Sequence, residues 1–241
     1  MQQSPNNTTN MQHSLEIYIE MARSFASMTY QGVYLVDLDS GHFLFMSESK
    51  LLRHGLTDEE VLKEDLRFLS RFVPEDKMEL LGDISKVVLS GYVELPQEVR
   101  PKMMLYLNFH IRHEGELVMV CHKLRMLNFD DEGRPHILLG LLSPSPASGP
   151  VSIMASIPNT NFLYTCDAVK LEWKPVTPIH LTPNELTMLR LAMQGYSMER
   201  IGELMFRSPD TVKHYRRQVF SKMHVRNISE AIAFALHYGL I

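Results

Sequence analysis

The residues best placed to do chemistry lie near the C-terminus, in the stretch SPDTVKHYRRQVFSKM at residues 208–223. Lys213, His214 and Arg217 are spaced i, i+1 and i+4, which places them on one face of a helix. A second set at helical spacing forms an apolar stripe on another face: Val212, Tyr215, Val219 and Met223. A basic face of this kind suits contact with phosphates and with the acceptor atoms of guanine.

This helix is one of four predicted in residues 181–241. Each has an N-cap residue that can accept a backbone hydrogen bond: Thr182, Ser197, Ser208 and Asn227. Helices of two to four turns are unstable alone and must pack on one another. The second and third are joined by a tight turn, which predicts a helix-turn-helix whose later helix enters the DNA major groove.

The segment from Leu181 to Asn227, with Glu230 and Ala231 beyond it, resembles the LuxR/GerE-type helix-turn-helix of bacterial transcription regulators. The matching positions are Leu181, Thr182, Glu185, Gly195, Ser197, Ile201, Leu204, Ser208, Thr211, Val212, Lys213, Lys222, Val225, Glu230 and Ala231. The resemblance implies that Lys213, His214 and Arg217 read bases, that Thr211 meets a phosphate, and that the last helix pairs two copies on DNA.

We therefore predict DNA contacts at Ser208, Thr211, Lys213, His214, Arg216, Arg217 and Lys222, and dimer contacts at Ser229, Ala233, Leu236 and His237. The chain departs from the family pattern at four positions: Arg207, Tyr215, Gln218 and Ile228. Tyr215 and Gln218 keep the capacity for hydrogen bonding, so these departures bear on which DNA sequence is preferred and not on the predicted fold.

Charge is divided unevenly along the chain. Residues 181–241 carry eight Lys and Arg against five Asp and Glu, a net charge of +3, whereas the whole chain has −4. The remaining 180 residues therefore carry −7. A basic C-terminal segment on an otherwise acidic chain indicates that this segment, and not the rest, binds a polyanion.

The N-terminal part predicts an α+β domain in which helices and strands are segregated. A helix, a hairpin around Asp39-Ser40-Gly41, several short helices and three strands follow one another. The runs GVYLVDLDSGHFLFMSES, FLSRFVPEDKMEL, FHIRHEGELVMV and DDEGRPHILLGLLS resemble a PAS domain. That resemblance implies a domain that binds a small molecule or dimerises, and the fold does not decide between these roles.

Other chemistry is disfavoured. Asp37 and Asp39 could form the acidic pair of a phosphoacceptor domain, but they flank a hairpin and the α/β alternation is missing. A metal or haem site could be drawn from His110, His113, Cys121 and His122, but the spacing fits no zinc motif. We find no catalytic motif and predict neither enzyme activity, cofactor nor metal. The rival hypothesis is a signalling ligand-binder or phosphoacceptor-type regulator whose last helices mediate protein contacts.

The predicted organisation is a disordered tail (residues 1–13), a PAS-like domain (14–145), a linker with short strands (146–180) and the helix-turn-helix domain (181–241). Whether residues 151–173 extend the sheet or form a connector stays open. The longest apolar run, ILLGLL at 137–142, is far too short to span a membrane. Two cysteines provide no disulfide framework, and the polar N-terminus has no signal sequence, which predicts a cytoplasmic protein.

Overall fold

The computed structural model of the 241-residue chain describes residues 5–129, 133–145, 151–158, 160, 163–167, 170–177 and 179–241. Its contacts separate the described residues into two compact units, one ending at Val176 and the other beginning at Thr177. No helix in these described ranges is long and apolar enough to cross a membrane.

The first unit opens with helix α1, Pro5–Ser27. The predicted disordered tail is therefore wrong for residues 5–13, which are helical, while residues 1–4 lie outside the described residues. Proline suits the first turn of a helix because its φ is already near the helical value and its missing N–H would have no partner there. Further along α1, Ala22 is buried against the sheet and anchors the helix.

The sheet of the first unit begins with the predicted hairpin, β1 (Gly32–Asp37) and β2 (Phe43–Met46). The helices that follow are α2 (Lys50–Arg53), α3 (Asp58–Val61), α4 (Arg67–Ser70) and α5 (Glu75–Glu94), with a 3-10 turn at Arg100–Lys102. Three long strands come next: β3 (Met104–His113), β4 (Glu116–Phe129) and β5 (Pro135–Pro144). This order confirms the predicted α+β class.

All pairings in this sheet are antiparallel, in the order β2-β1-β5-β4-β3. Strand β1 lies inside the sheet, and both of its faces are buried. Tyr34 and Val36 pack with the helices after β2, whereas Val33 and Leu35 pack with Ala22 of α1. Burial on both faces explains why GVYLV reads as a continuous apolar run with no polar alternation.

Three short strands extend the same sheet beyond β3: β6 (Ser152–Ser156), β7 (Leu163–Asp167) and β8 (Glu172–Pro175). The short strands of the predicted linker (146–180) therefore extend the sheet of the first unit, which was one of the two alternatives left open for residues 151–173. Ile153 and Ala155 alternate inward on β6, and this buried pair fixes its register against β3. Residues 146–150 of the predicted linker lie outside the described residues.

In the second unit, residues 179–241 are all described and form four helices: α6 (Pro183–Met193), α7 (Met198–Met205), α8 (Pro209–Met223) and α9 (Ile228–His237). Each predicted N-cap side chain accepts a hydrogen bond from the amide three residues later. The helices share one apolar core: Met188, Leu189, Ile201, Val212, Val219, Met223, Ala231 and Ala235. The predicted all-α class of this unit is confirmed.

Candidate nucleic-acid interface

The N-terminus of α8 is built by its cap. The Ser208 hydroxyl accepts a hydrogen bond from the Thr211 amide at 3.2 Å and lies 2.9 Å from the Thr211 hydroxyl oxygen. Pro209 takes the first helical position and Asp210 lies in the first turn. The helix start therefore carries two hydroxyl groups at its positive end, where anions are stabilised.

The two faces of α8 separate as the helical spacing predicts. Val212, Val219 and Met223 are fully enclosed in the core, and Tyr215 is half-buried beside them. The opposite face carries exposed side chains: Lys213, His214, Arg217 and Gln218. Because the apolar face holds the helix to its neighbours, the polar face is presented to solvent in one fixed orientation.

The three charged or titratable groups of that face are only weakly engaged within the chain. Lys213 Nζ lies 3.3 Å from Asp210 Oδ1, one turn away, and both side chains are exposed. Pairs of this kind contribute little to stability, so the lysine can exchange partners readily. Within the described part of the chain, the Arg217 guanidinium makes no hydrogen bond or ion pair.

Arg216 differs from its neighbour Arg217. Its side chain is half-buried and its guanidinium lies 5.9 Å from the centre of the Phe220 ring. Its Nε is buried and has no hydrogen-bond partner among the described residues. The position flanks the exposed face and does not lie at its centre.

Lys222, a predicted DNA contact, has its ammonium engaged inside the unit. Its ammonium donates to both carboxylate oxygens of Glu185, at 2.7 and 2.9 Å, and to the His180 carbonyl at 3.1 Å. Glu185 is 3% exposed. Burial alone would raise the pKa of this carboxyl, but hydrogen bonds from Lys222 and the Thr182 amide outweigh burial and hold the pKa below its usual value.

The turn between α7 and α8 depends on two residues that were not among those predicted from the sequence. Gly202 is buried in α7, and a Cβ there would lie 2.9 Å from the Arg207 carbonyl oxygen. Phe206 ends α7 in the left-handed conformation with φ 52°, and its side chain is 92% exposed. A lone glycine inside a helical pattern was the available signal, because it often marks a close backbone approach.

Helix α9 buries Ala231 and Ala235 and turns other residues outward. Of the predicted dimer contacts, Ser229 is exposed, Ala233 is partly exposed and Leu236 is 57% exposed. The side chain of His237 lies outside the described residues. Leu236 therefore presents an apolar side chain to solvent at the end of a packed helix.

The acidic pair of the first unit has a local role in its hairpin. One Asp37 carboxylate oxygen accepts from the Asp39 amide at 2.9 Å, and the other accepts from the Ser40 hydroxyl at 2.9 Å. Asp39 in turn lies 2.8 Å from His136 Nδ1. These bonds shape a turn, and the sheet around them is antiparallel, so the phosphoacceptor alternative finds no support.

The histidines considered for a metal site lie at separate places in the first unit. On paired strands β3 and β4, His110 lies opposite Met119, and His122 lies opposite Leu107. His122 Nε2 is 2.6 Å from the Tyr34 hydroxyl, and burial lowers the pKa of His122 to about 4. His113 instead lies beside His54, with ring centres 5.6 Å apart. The metal site that the sequence already disfavoured, drawn from His110, His113, Cys121 and His122, is not assembled among the described residues.

A short helix joined by a tight turn to a capped helix with an exposed basic face defines the second unit as a helix-turn-helix domain. The particular type follows from its sequence. Residues 180–235 match the family model described as "Bacterial regulatory proteins, luxR family" (GerE), so this unit is a LuxR-type helix-turn-helix domain.

The chain is 30% identical over 128 residues to the transcriptional activator protein BglJ of Escherichia coli strain K12. That alignment covers 47% of this chain and 57% of BglJ, so the chain spans little more than half of this relative. Among solved structures, a Vibrio cholera VqmA–ligand–DNA complex is 16% identical, with a TM-score of 0.34 and coverage of 91% of this chain and 87% of VqmA. The PAS domain of Bordetella pertussis BvgS is 15% identical, with a TM-score of 0.34 and coverage of 53% and 84%.

Proposed function

We propose that this chain is a DNA-binding transcription regulator that inserts α8 into the DNA major groove and pairs two copies through α9. Lys213, His214 and Arg217 carry the proposal, because a helix packed on its other face presents them together to solvent. The match of this unit to the LuxR family supports it. The similarity to BglJ, a transcriptional activator, supports the regulator class.

Each predicted contact then has a distinct role. Arg217 and Lys213 have the length and charge to donate to guanine O6 and N7 in the major groove, and His214 can donate or accept beside them. Ser208 and Thr211 lie at the helix N-terminus, where a phosphate is stabilised by hydroxyl groups and by the helix dipole. Arg216 contacts the flanking backbone. Lys222 is left out because Glu185 occupies its ammonium.

The first unit receives the signal in this proposal, as a sensor of a small molecule or a partner. Its net charge disfavours DNA. The remaining 180 residues of the chain carry −7, against +3 for residues 181–241. The phosphate backbone therefore attracts one end of the chain and repels the rest.

The test is a selection of genomic fragments by the full chain, followed by affinity measurements over a range of salt concentrations. Neutralised phosphates release counterions, so the logarithm of the association constant should fall linearly with the logarithm of salt concentration. Arg217→Ala should cost roughly 1–3 kcal/mol at the selected site and much less on random DNA, as expected for a base-reading arginine.

Arg190→Ala is the matched control, because it removes the same charge from an exposed position on α6. It should leave discrimination between selected and random DNA unchanged. Affinity that is independent of salt would overturn DNA binding altogether. An equal loss on selected and random DNA for Arg217→Ala would assign that residue to a phosphate.

A further inference from the structure

A cavity of about 300 Å³ lies in the first unit, between the C-terminal half of α5 and the three added strands β6–β8. Its walls are mainly apolar and include three aromatic side chains, Tyr92 of α5, Tyr164 of β7 and Trp173 of β8. Glu94 stands at its rim and is exposed. The volume is at the lower end of the range for small-molecule sites, about 300–1,000 Å³.

The Trp173 wall is held in place by a glycine. A Cβ at Gly91 would lie 2.8 Å from the indole Nε1, so only glycine allows the ring to approach α5 this closely. The indole Nε1 lies 3.5 Å from the Val87 carbonyl, a long hydrogen bond that sets the position of the ring edge. The aromatic wall is therefore formed before any ligand arrives.

Tyr92 supplies a polar group that the protein itself does not use. The residue is 4% exposed, and its hydroxyl has no hydrogen-bond partner among the described residues. Burial raises its pKa, so the phenol stays neutral and able to donate. A buried hydroxyl left without a partner costs free energy, which a ligand acceptor would recover.

Among the described residues, the pocket at the centre of the unit is much smaller. The cavity enclosed by His54, Phe72, Phe109 and His122 measures about 30 Å³, room for about one water molecule. Stacking of His54 on Phe72, with ring centres 3.4 Å apart, and the bond between Tyr34 and His122 fill this region. Of these two places, the cavity beside α5 is the one with room for a ligand.

We propose that this cavity binds a planar aromatic small molecule that presents a hydrogen-bond acceptor to Tyr92 and stacks against Trp173 and Tyr164. The acidic rim at Glu94 favours a neutral or positively charged molecule over an anion. The proposal names a ligand class for the sensor role assigned above to the first unit. Its biological purpose rests on that proposed role, whereas the binding itself is argued from the cavity.

The chain has a single tryptophan, so 5-fluorotryptophan labelling gives one ¹⁹F resonance that reports on this wall. We would titrate the labelled full chain with quinoline and with naphthalene, which differ in one ring nitrogen, at a pH where quinoline is neutral. We expect a saturable shift of the resonance with both probes. Quinoline should bind roughly two- to tenfold more tightly, the worth of one neutral hydrogen bond.

Tyr92→Phe should remove the preference for quinoline while keeping the fold, because its hydroxyl has no protein partner to lose. Tyr34→Phe is the matched control, since it deletes a phenol hydroxyl that is bonded to His122; it should lower stability and leave the preference intact. Ala155→Leu fills the cavity from β6 and should weaken both probes at unchanged or higher stability.

No saturable shift with either probe would overturn the proposal, and so would a quinoline preference that survives Tyr92→Phe. Equal binding of both probes would remove Tyr92 from the site and overturn its assigned role. DNA affinity measured on the same samples separates the two hypotheses. If the chain binds DNA but neither probe, the cavity proposal is wrong and the regulator proposal stands. If it binds the probes but not DNA, the regulator proposal is wrong and the cavity proposal stands.

Discussion

At the scale of single residues, Lys222 shows what sequence spacing alone does not reveal about a basic side chain. Helical periodicity states which face a residue lies on, but it does not state which other element packs across that face. Glu185 is 37 positions away and meets Lys222 only after α6 has packed on α8. Because this pairing appears only in the tertiary structure, the sequence alone predicted Lys222 as a DNA contact.

Lys222→Met should therefore act on stability. Removing the ammonium leaves the Glu185 carboxylate buried beside Thr182, whose amide donates to it at 2.7 Å. Breaking a buried ion pair from one side costs about 3 kcal/mol or more. We expect calorimetry to show that loss in the unfolding of the second unit, whereas DNA affinity per folded molecule stays close to wild type. A stable variant with weak DNA binding would return Lys222 to the interface.

His122 should make the first unit sensitive to acid. Burial lowers its pKa to about 4 in the folded chain, against the ordinary histidine pKa of about 6.5. The unfolded chain therefore binds the proton more readily between those values, so stability is complete above about pH 6.5 and falls as pH drops toward 4. The loss amounts to at most about 3 kcal/mol.

Urea unfolding followed by Trp173 fluorescence can measure this loss, because the tryptophan lies in the first unit. His122→Gln keeps an acceptor for the Tyr34 hydroxyl and cannot be protonated, so it should flatten the decline between pH 6.5 and 4. His110→Gln is the control: it removes a half-buried histidine from the neighbouring strand and should leave the decline in stability between pH 6.5 and 4 unchanged. An unchanged decline in His122→Gln would show that other groups set the acid sensitivity.

At the scale of elements, the features that are local in the chain were predictable. The N-caps Thr182, Ser197, Ser208 and Asn227 act on amides three residues away, so the sequence carries their whole signal. The hairpin at Asp39 is equally local. Strand β6 was not assignable because its partner, β3, lies about 50 residues earlier, and β7 and β8 join the sheet only through β6. Short apolar runs identify possible strands, but only packing selects the partner.

Gly202 allows the close approach of α7 to the turn that precedes α8. Gly202→Ala places a Cβ 2.9 Å from the Arg207 carbonyl oxygen, and backbone atoms cannot move aside without opening the turn. We expect a loss of roughly 1–3 kcal/mol in the second unit, as for other overpacked sites, together with weaker DNA binding. Calorimetry and DNA affinity on the same variant would measure both effects.

Gly82→Ala in α5 is the matched control, since a Cβ there meets nothing within 4 Å. An exposed helical glycine replaced by alanine gains up to about 1 kcal/mol. The two identical substitutions should therefore shift stability in opposite directions. A stabilised Gly202→Ala variant would show that α7 and the turn have room to adjust.

At the scale of the whole molecule, the proposed function requires two copies of α8 on one stretch of DNA. A single α8 exposes only a few basic groups, and each base or phosphate contact contributes modestly to affinity. Pairing joins two such helices into one binding event, which raises affinity without any new contact to DNA. The exposed end of α9, and Leu236 above all, is the surface that we assign to pairing.

Leu236→Asp tests that assignment without burying a charge, because the leucine is 57% exposed in the single chain. Two aspartates meeting in the pair would be desolvated and would repel each other, so the complex with DNA should fall from two copies to one. Analytical ultracentrifugation with labelled DNA counts the copies directly. Met193→Asp places the same charge at a 44% exposed position on α6 and should keep two copies bound. Two copies of Leu236→Asp on DNA, at wild-type affinity, would remove α9 from the pairing surface.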